Sequence, residues 1–102
     1  MAKIPSKRTP THPGEVLLEE YIQPLGLTQS EVAQRLNVPF QRINELVRGK
    51  RGVTPSTALR LSKLFRTTPD FWLNLQLRYD LHAAQKAETS ALKAIKPIAL
   101  EA

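Results

Sequence analysis

The sequence predicts an all-α domain of five short helices, the second and third arranged as a helix-turn-helix. Three observations lead there. Apolar residues recur at helical spacing along most of the 102-residue chain, and no alternating strand pattern competes with them. Proline and glycine fall at the joints between these runs. Thr28 to Lys50, TQSEVAQRLNVPFQRINELVRGK, reads as two helices joined by a tight turn with cations around the second.

Residues 1–11, MAKIPSKRTPT, are basic and proline-rich and read as a mobile arm ahead of a domain over residues 12–85. The first helix is expected from Pro13 or Gly14, burying Leu17, Leu18, Tyr21 and Ile22. It must stop before Pro24, because proline cannot continue an interior turn. Thr28, followed three residues on by Glu31, forms a capping box, so the second helix starts at Gln29 with Val32, Ala33 and Leu36 as its apolar face. Asn37 and Val38 make the turn. Pro39 is pre-set for a first helical position, which gives a third helix from Pro39 to Arg48 that buries Ile43, Leu46 and Val47 and ends at Gly49.

Lys50 to Val53 form a basic loop. Thr54-Pro55 then cap a fourth helix whose core face is Ala58, Leu61, Leu64 and Phe65, and Thr68-Pro69-Asp70 open a fifth by the same chemistry. Residues 86–102 have weak helical character as far as Ala94 before Lys96-Pro97 breaks it, and read as a tail with no fixed structure.

The third helix turns Phe40, Gln41, Arg42, Asn44, Glu45 and Arg48 outward. Gln, Arg and Asn offer the donor and acceptor pairs that base edges present in the DNA major groove, and Phe40 offers apolar contact to a thymine methyl. Such a face is also what any solvated helical hairpin would show, and the charge distribution favours the DNA reading. Between Val32 and Pro69 stand Arg35, Arg42, Arg48, Lys50, Arg51, Arg60, Lys63 and Arg66 against Glu45 alone, which is eight of the chain's 15 bases with one of its 9 acids. The first helix carries Glu15, Glu19 and Glu20, so the basic character of this +6 chain is concentrated, as phosphate binding requires.

Other classes find little support. There is no cysteine, and His12 and His82 lie far apart, so no metal site and no cofactor are expected. No nucleophile elbow, glycine-rich phosphate loop or HExxH spacing occurs, so an enzyme is not expected. Without a membrane-length apolar run or a signal-peptide core after the basic start, the expected location is the cytoplasm.

The fifth helix is apolar over too much of its circumference for four short helices to cover. Phe71, Trp72, Leu75 and Tyr79 are therefore expected to form a homodimer interface, in keeping with the two-fold pairing by which helix-turn-helix readers lengthen their sites.

The segments HPGEVLLEEYIQPLGLTQ, RINELVRGKRGVT, TALRLSKLF and TPDFWLNLQLRYDL, in unbroken order from about His12 to about Ala84, resemble the HigA-type antitoxins of bacterial toxin–antitoxin modules. These belong to the larger phage-repressor-like (lambda repressor-like, XRE) helix-turn-helix family, and DFWLNLQ is more specific to the resemblance than the helix-turn-helix itself. The resemblance implies a small dimeric protein that binds double-stranded operator DNA, represses its own operon and neutralises a neighbouring toxin, typically a RelE-like mRNA endonuclease. By position it places Gln29, beside Ser30, on a phosphate and Phe40, Gln41, Arg42 and Glu45 toward bases, with Asn44, Arg48, Lys50 and Arg51 flanking the backbone. Phe40 departs from the polar residue many relatives carry there. A solitary transcriptional regulator without a toxin has the same fold, and a protein-interaction module with an acidic partner is the third alternative.

Overall fold

The computed structural model describes residues 9–100, so most of the expected basic arm, residues 1–8, and the last two residues of the tail lie outside the described residues. The described chain is all-helical. The first helix, α1 (Pro13–Val16), starts at His12, whose Nδ1 accepts the Gly14 N–H at 2.9 Å. It runs on directly as a π-helical stretch, Leu17–Ile22, ending before Pro24 as expected.

The widening has a local cause. Pro24 brings no N–H to the ladder and its ring would crowd the carbonyl four residues back. On either side of it the donors bond to the fifth residue back: Gln23 N–H to Leu18 O at 2.9 Å just before the proline, and Leu27 N–H to Ile22 O at 3.0 Å across it. The chain thus keeps winding beyond the regular helix until Gly26, at φ +67°, closes the turn.

α2 (Gln29–Leu36) has the predicted capping box. Thr28 Oγ1 accepts from Glu31 N–H at 3.0 Å and Thr28 N–H donates to Glu31 Oε1 at 2.8 Å. Asn37, left-handed at φ +58°, ends it. α3 (Phe40–Val47) starts one residue later than expected: Pro39 is extended at ψ 146° and stands just outside the helix, because the turn needs an extended residue there and proline's fixed φ serves either position. Gly49, at φ +74°, closes the helix, with Gly49 N–H on Leu46 O and Lys50 N–H on Glu45 O at 3.0 and 2.8 Å.

α4 (Pro55–Phe65) and α5 (Pro69–Ala87) are capped by Thr54 and Thr68 as expected. A sixth short helix, α6 (Thr89–Ala94), occupies the part of the tail read as weakly helical. It ends just ahead of the Lys96-Pro97 breaker, with Ile95 already extended.

The core is drawn from every predicted apolar face. Leu17, Val32, Ile43, Leu46, Leu61 and Trp72 are completely or almost completely buried, with Ile22, Ala33, Leu36, Val53 and Ala58 beside them. Leu18, Tyr21, Val47, Leu64 and Phe65 pack at the margin of this cluster. α1 lies close against α3, since a Cβ on Gly14 would sit 1.7 Å from Leu46 O and only glycine permits that approach.

Candidate nucleic-acid interface

α2 and α3 are set against each other by their shared core and by one polar bond. Asn44 Nδ2 donates to Gln29 Oε1 at 3.1 Å, so the residue opening α2 is tied to the middle of α3. Outward of this bond lie the other expected DNA residues. Ser30, Gln41, Arg48, Lys50 and Arg51 are exposed, Arg42, Asn44 and Glu45 are half-buried, and Phe40 keeps 49% of its surface open at the start of α3. All ten candidates thus lie on α2, α3 and the loop that follows.

Besides Asn44 and Gln29, three more of them interact. Gln41 Nε2 donates to Glu45 Oε2 at 3.0 Å, while Arg51 reaches Glu45 Oε1 through Nε at 3.0 Å and Nη2 at 2.8 Å. The Arg51 guanidinium, and after it the Gln41 amide, hold the Glu45 carboxyl below its ordinary range. The one acid of the basic stretch is therefore set among the groups expected to meet DNA. A carboxylate at this place can accept from a cytosine amino group and repels a misplaced phosphate.

Beyond the helix, Gly49 turns the chain into the Lys50–Val53 loop. Its end is pinned from α5, where Gln76 Oε1 accepts the Val53 N–H at 2.7 Å and Gln76 Nε2 donates to Asp80 Oδ1 at 2.9 Å. Sequence reasoning does not single out Gln76 or Asp80. Both are polar positions on a helix read for its apolar face, and only the tertiary fold brings them to the loop. Arg60, counted among the phosphate-facing cations, also has a structural task, donating from Nη1 to Leu36 O at the end of α2 across 2.6 Å.

The expected dimer residues divide. Trp72 is corrected: it is 0% exposed, donates from Nε1 to Thr67 Oγ1 at 2.7 Å, and is ringed by Tyr21 and Phe71 at 5.3 and 5.0 Å between centroids. It fills the core and has no surface to offer a partner. Phe71 and Leu75 pack at the core margin, and Tyr79 meets His12 edge-on at 4.8 Å. Four short helices cover more of α5 than the sequence suggests, because Phe71, Leu75 and Tyr79 recur every fourth residue on the flank nearest Trp72. The apolar side chains left outside are Leu77 and Leu81, each 54% exposed. At 3.6 residues per turn Leu77 stands roughly 140° around the helix from Trp72.

Among the described residues no group of three or more histidines, cysteines or acids could hold a metal ion, and no helix is long and apolar enough to cross a membrane.

Comparison with known proteins agrees with this geometry. Residues 18–72 match a family described as helix-turn-helix, a span that contains α2, α3 and α4. The chain is 47% identical over 74 residues to an uncharacterized HTH-type transcriptional regulator, YbaQ of Escherichia coli K12, covering 72% of this chain and 66% of that one. It is 33% identical over 94 residues to antitoxin HigA-1 of Vibrio cholerae, covering 91% and 88%. Among solved structures it is similar to the Pseudomonas aeruginosa antitoxin HigA with the higBA promoter, at a TM-score of 0.85 and 34% identity, covering 88% of this chain and 99% of that one.

Proposed function

The chain belongs to the XRE-type helix-turn-helix family, among the HigA antitoxins and their relatives, as a DNA-binding regulator and not an enzyme; from that premise we propose that it represses its own operon and neutralises a toxin encoded beside it. The observation that carries this reading is the near full-length likeness to HigA, which extends past the helix-turn-helix through α5.

In this reading two chains pair through α5 and place their α3 helices in successive major grooves, roughly 34 Å apart. Gln41 and Arg42 read base edges, and Glu45 reads or rejects beside them. Gln29, Ser30, Asn44, Arg48, Lys50 and Arg51 set the register on the phosphates, and Phe40 packs against a thymine methyl or the sugar edge. Repression follows from occupying the promoter. The toxin is a RelE-like mRNA endonuclease, held inactive by binding alone.

The test is growth of cells expressing the adjacent open reading frame, with and without this chain supplied from a second promoter. Arrest by the neighbour and rescue by this chain is the expected result. The 47% identity to a regulator whose name carries no toxin favours a second reading, a solitary repressor. A harmless neighbour, with this chain still binding its own promoter, would establish it.

A further inference from the structure

The loop that carries Lys50 and Arg51 is held by α5 as well as by its own turn. Val53, whose side chain is buried, donates its N–H to Gln76 Oε1 at 2.7 Å. The same amide donates from Nε2 to Asp80 Oδ1 at 2.9 Å, one turn further along α5. These partners dictate how the amide points, since a backbone N–H needs an acceptor and a carboxylate needs a donor. Gly52 lies directly on it: a Cβ there would come 3.0 Å from Cδ, Oε1 and Nε2 of Gln76. Asp80, Gln76, Gly52 and Val53 thus form one chain of contacts from α5 to the basic loop.

We propose that Gln76 is a positioning residue for DNA binding, holding the Lys50–Val53 loop so that its cations meet phosphates. Because Gln76 stands on the helix that also exposes Leu77 and Leu81, the loop is placed from the element through which two chains would pair. The inference rests on the DNA-binding reading of this surface and adds to it a residue that touches no DNA. The Val53 bond adds to the Gly49 turn and the Arg51–Glu45 ion pair in holding the loop, and without it each contact of a loop cation with a phosphate spends part of its attraction on ordering the chain.

The experiment compares the full chain and three variants, Gln76→Leu, Gln76→Glu and Gln76→Glu with Asp80→Asn, on the duplex upstream of its own gene. Affinity is measured against salt, with thermal melting alongside. Gln76→Leu is expected to weaken binding about tenfold, the usual scale for removing one hydrogen bond, and to flatten the salt slope by about one unit for each phosphate no longer neutralised. Gln76→Glu is expected to weaken binding too, because the new carboxylate faces Asp80. Adding Asp80→Asn should restore affinity and slope, since the carboxylate still accepts from Val53 N–H and the new amide donates back to it. A merely structural role would move melting and leave the slope unchanged.

Unchanged affinity and slope in a folded Gln76→Leu, with the unaltered chain binding its operator, would overturn the proposal, as would failure of the double variant to recover. If Gln76→Leu does not fold, the two carboxylate variants decide by the same measurements. If the unaltered chain itself does not prefer its own upstream DNA, the DNA reading of the surface fails and this inference with it, an outcome distinct from the others.

Discussion

Asn44 and Gln29 stand fifteen positions apart in sequence and are joined by a 3.1 Å bond from Nδ2 to Oε1. The bond points the Gln29 amide so that its oxygen is used within the protein and its Nε2 donors are left for an acceptor outside, which a phosphate oxygen would be. In the proposed reading Asn44 would act on DNA through Gln29. Replacing Asn44 with Ala is expected to weaken operator binding about threefold to tenfold while preserving sequence preference. A double-mutant cycle with Gln29→Ala should be non-additive. Additive losses would show that the two side chains work independently.

Glu45 holds Gln41 and Arg51 in the free protein, and the bonds from Arg51 and then Gln41 lower the pKa of its carboxyl. Glu45→Gln should release Arg51 to phosphates, raise affinity for unrelated duplex DNA and narrow the gap between operator and unrelated sequence. Titrations on both duplexes at two salt concentrations check this. Weaker binding to both, with the gap kept, would assign Glu45 a structural task only.

Trp72 and Leu77 lie on opposite sides of α5, and their variants should behave differently. Trp72→Ala empties the centre of the core and is expected to cost about 3–5 kcal/mol of folding stability. Leu77→Asp with Leu81→Asp should alter monomer stability by no more than about 0.5 kcal/mol per site while lowering the mass seen by sedimentation. An unchanged mass in the double variant would move the proposed interface off this face of α5.

His12 caps α1 through its unprotonated Nδ1 and is packed edge-on to Tyr79; burial lowers its pKa, against the opposing pull of Asp80 and Glu15. The unfolded chain therefore takes up a proton before the folded one does. The contribution is complete above the ordinary histidine value of 6.5 and is lost as pH falls through the lowered folded value. Urea midpoints should drop as pH is taken from 7.5 toward 5. His12→Asn, which still caps but does not titrate, should flatten that part of the curve.

What is legible in the sequence is local. The Thr28–Glu31 box, the threonine-proline starts of α4 and α5 and the closing glycine of α3 are short-range chemistry, and each is present in the fold. The basic stretch is legible because charge adds up along a chain whatever its fold. Pro39 falls one residue outside its expected place because proline's φ suits either side of a helix start. Trp72 departs from expectation for a different reason: periodicity tells that a helix has an apolar side but not how much of it its neighbours cover. Gln76 closes the DFWLNLQ segment that carries the resemblance, but its task is not legible there, since its partners lie 23 residues away at Val53 and one turn away at Asp80.

In the proposed function this surface reads a particular DNA sequence. The most direct measurement is binding of the unaltered chain to the duplex upstream of its gene and to an unrelated duplex of equal length, each titrated across a range of salt. Tighter binding to its own upstream DNA by about a thousandfold or more, with affinity to both falling steeply as salt rises, is the predicted result. Equal affinity for the two duplexes at every salt concentration would contradict it.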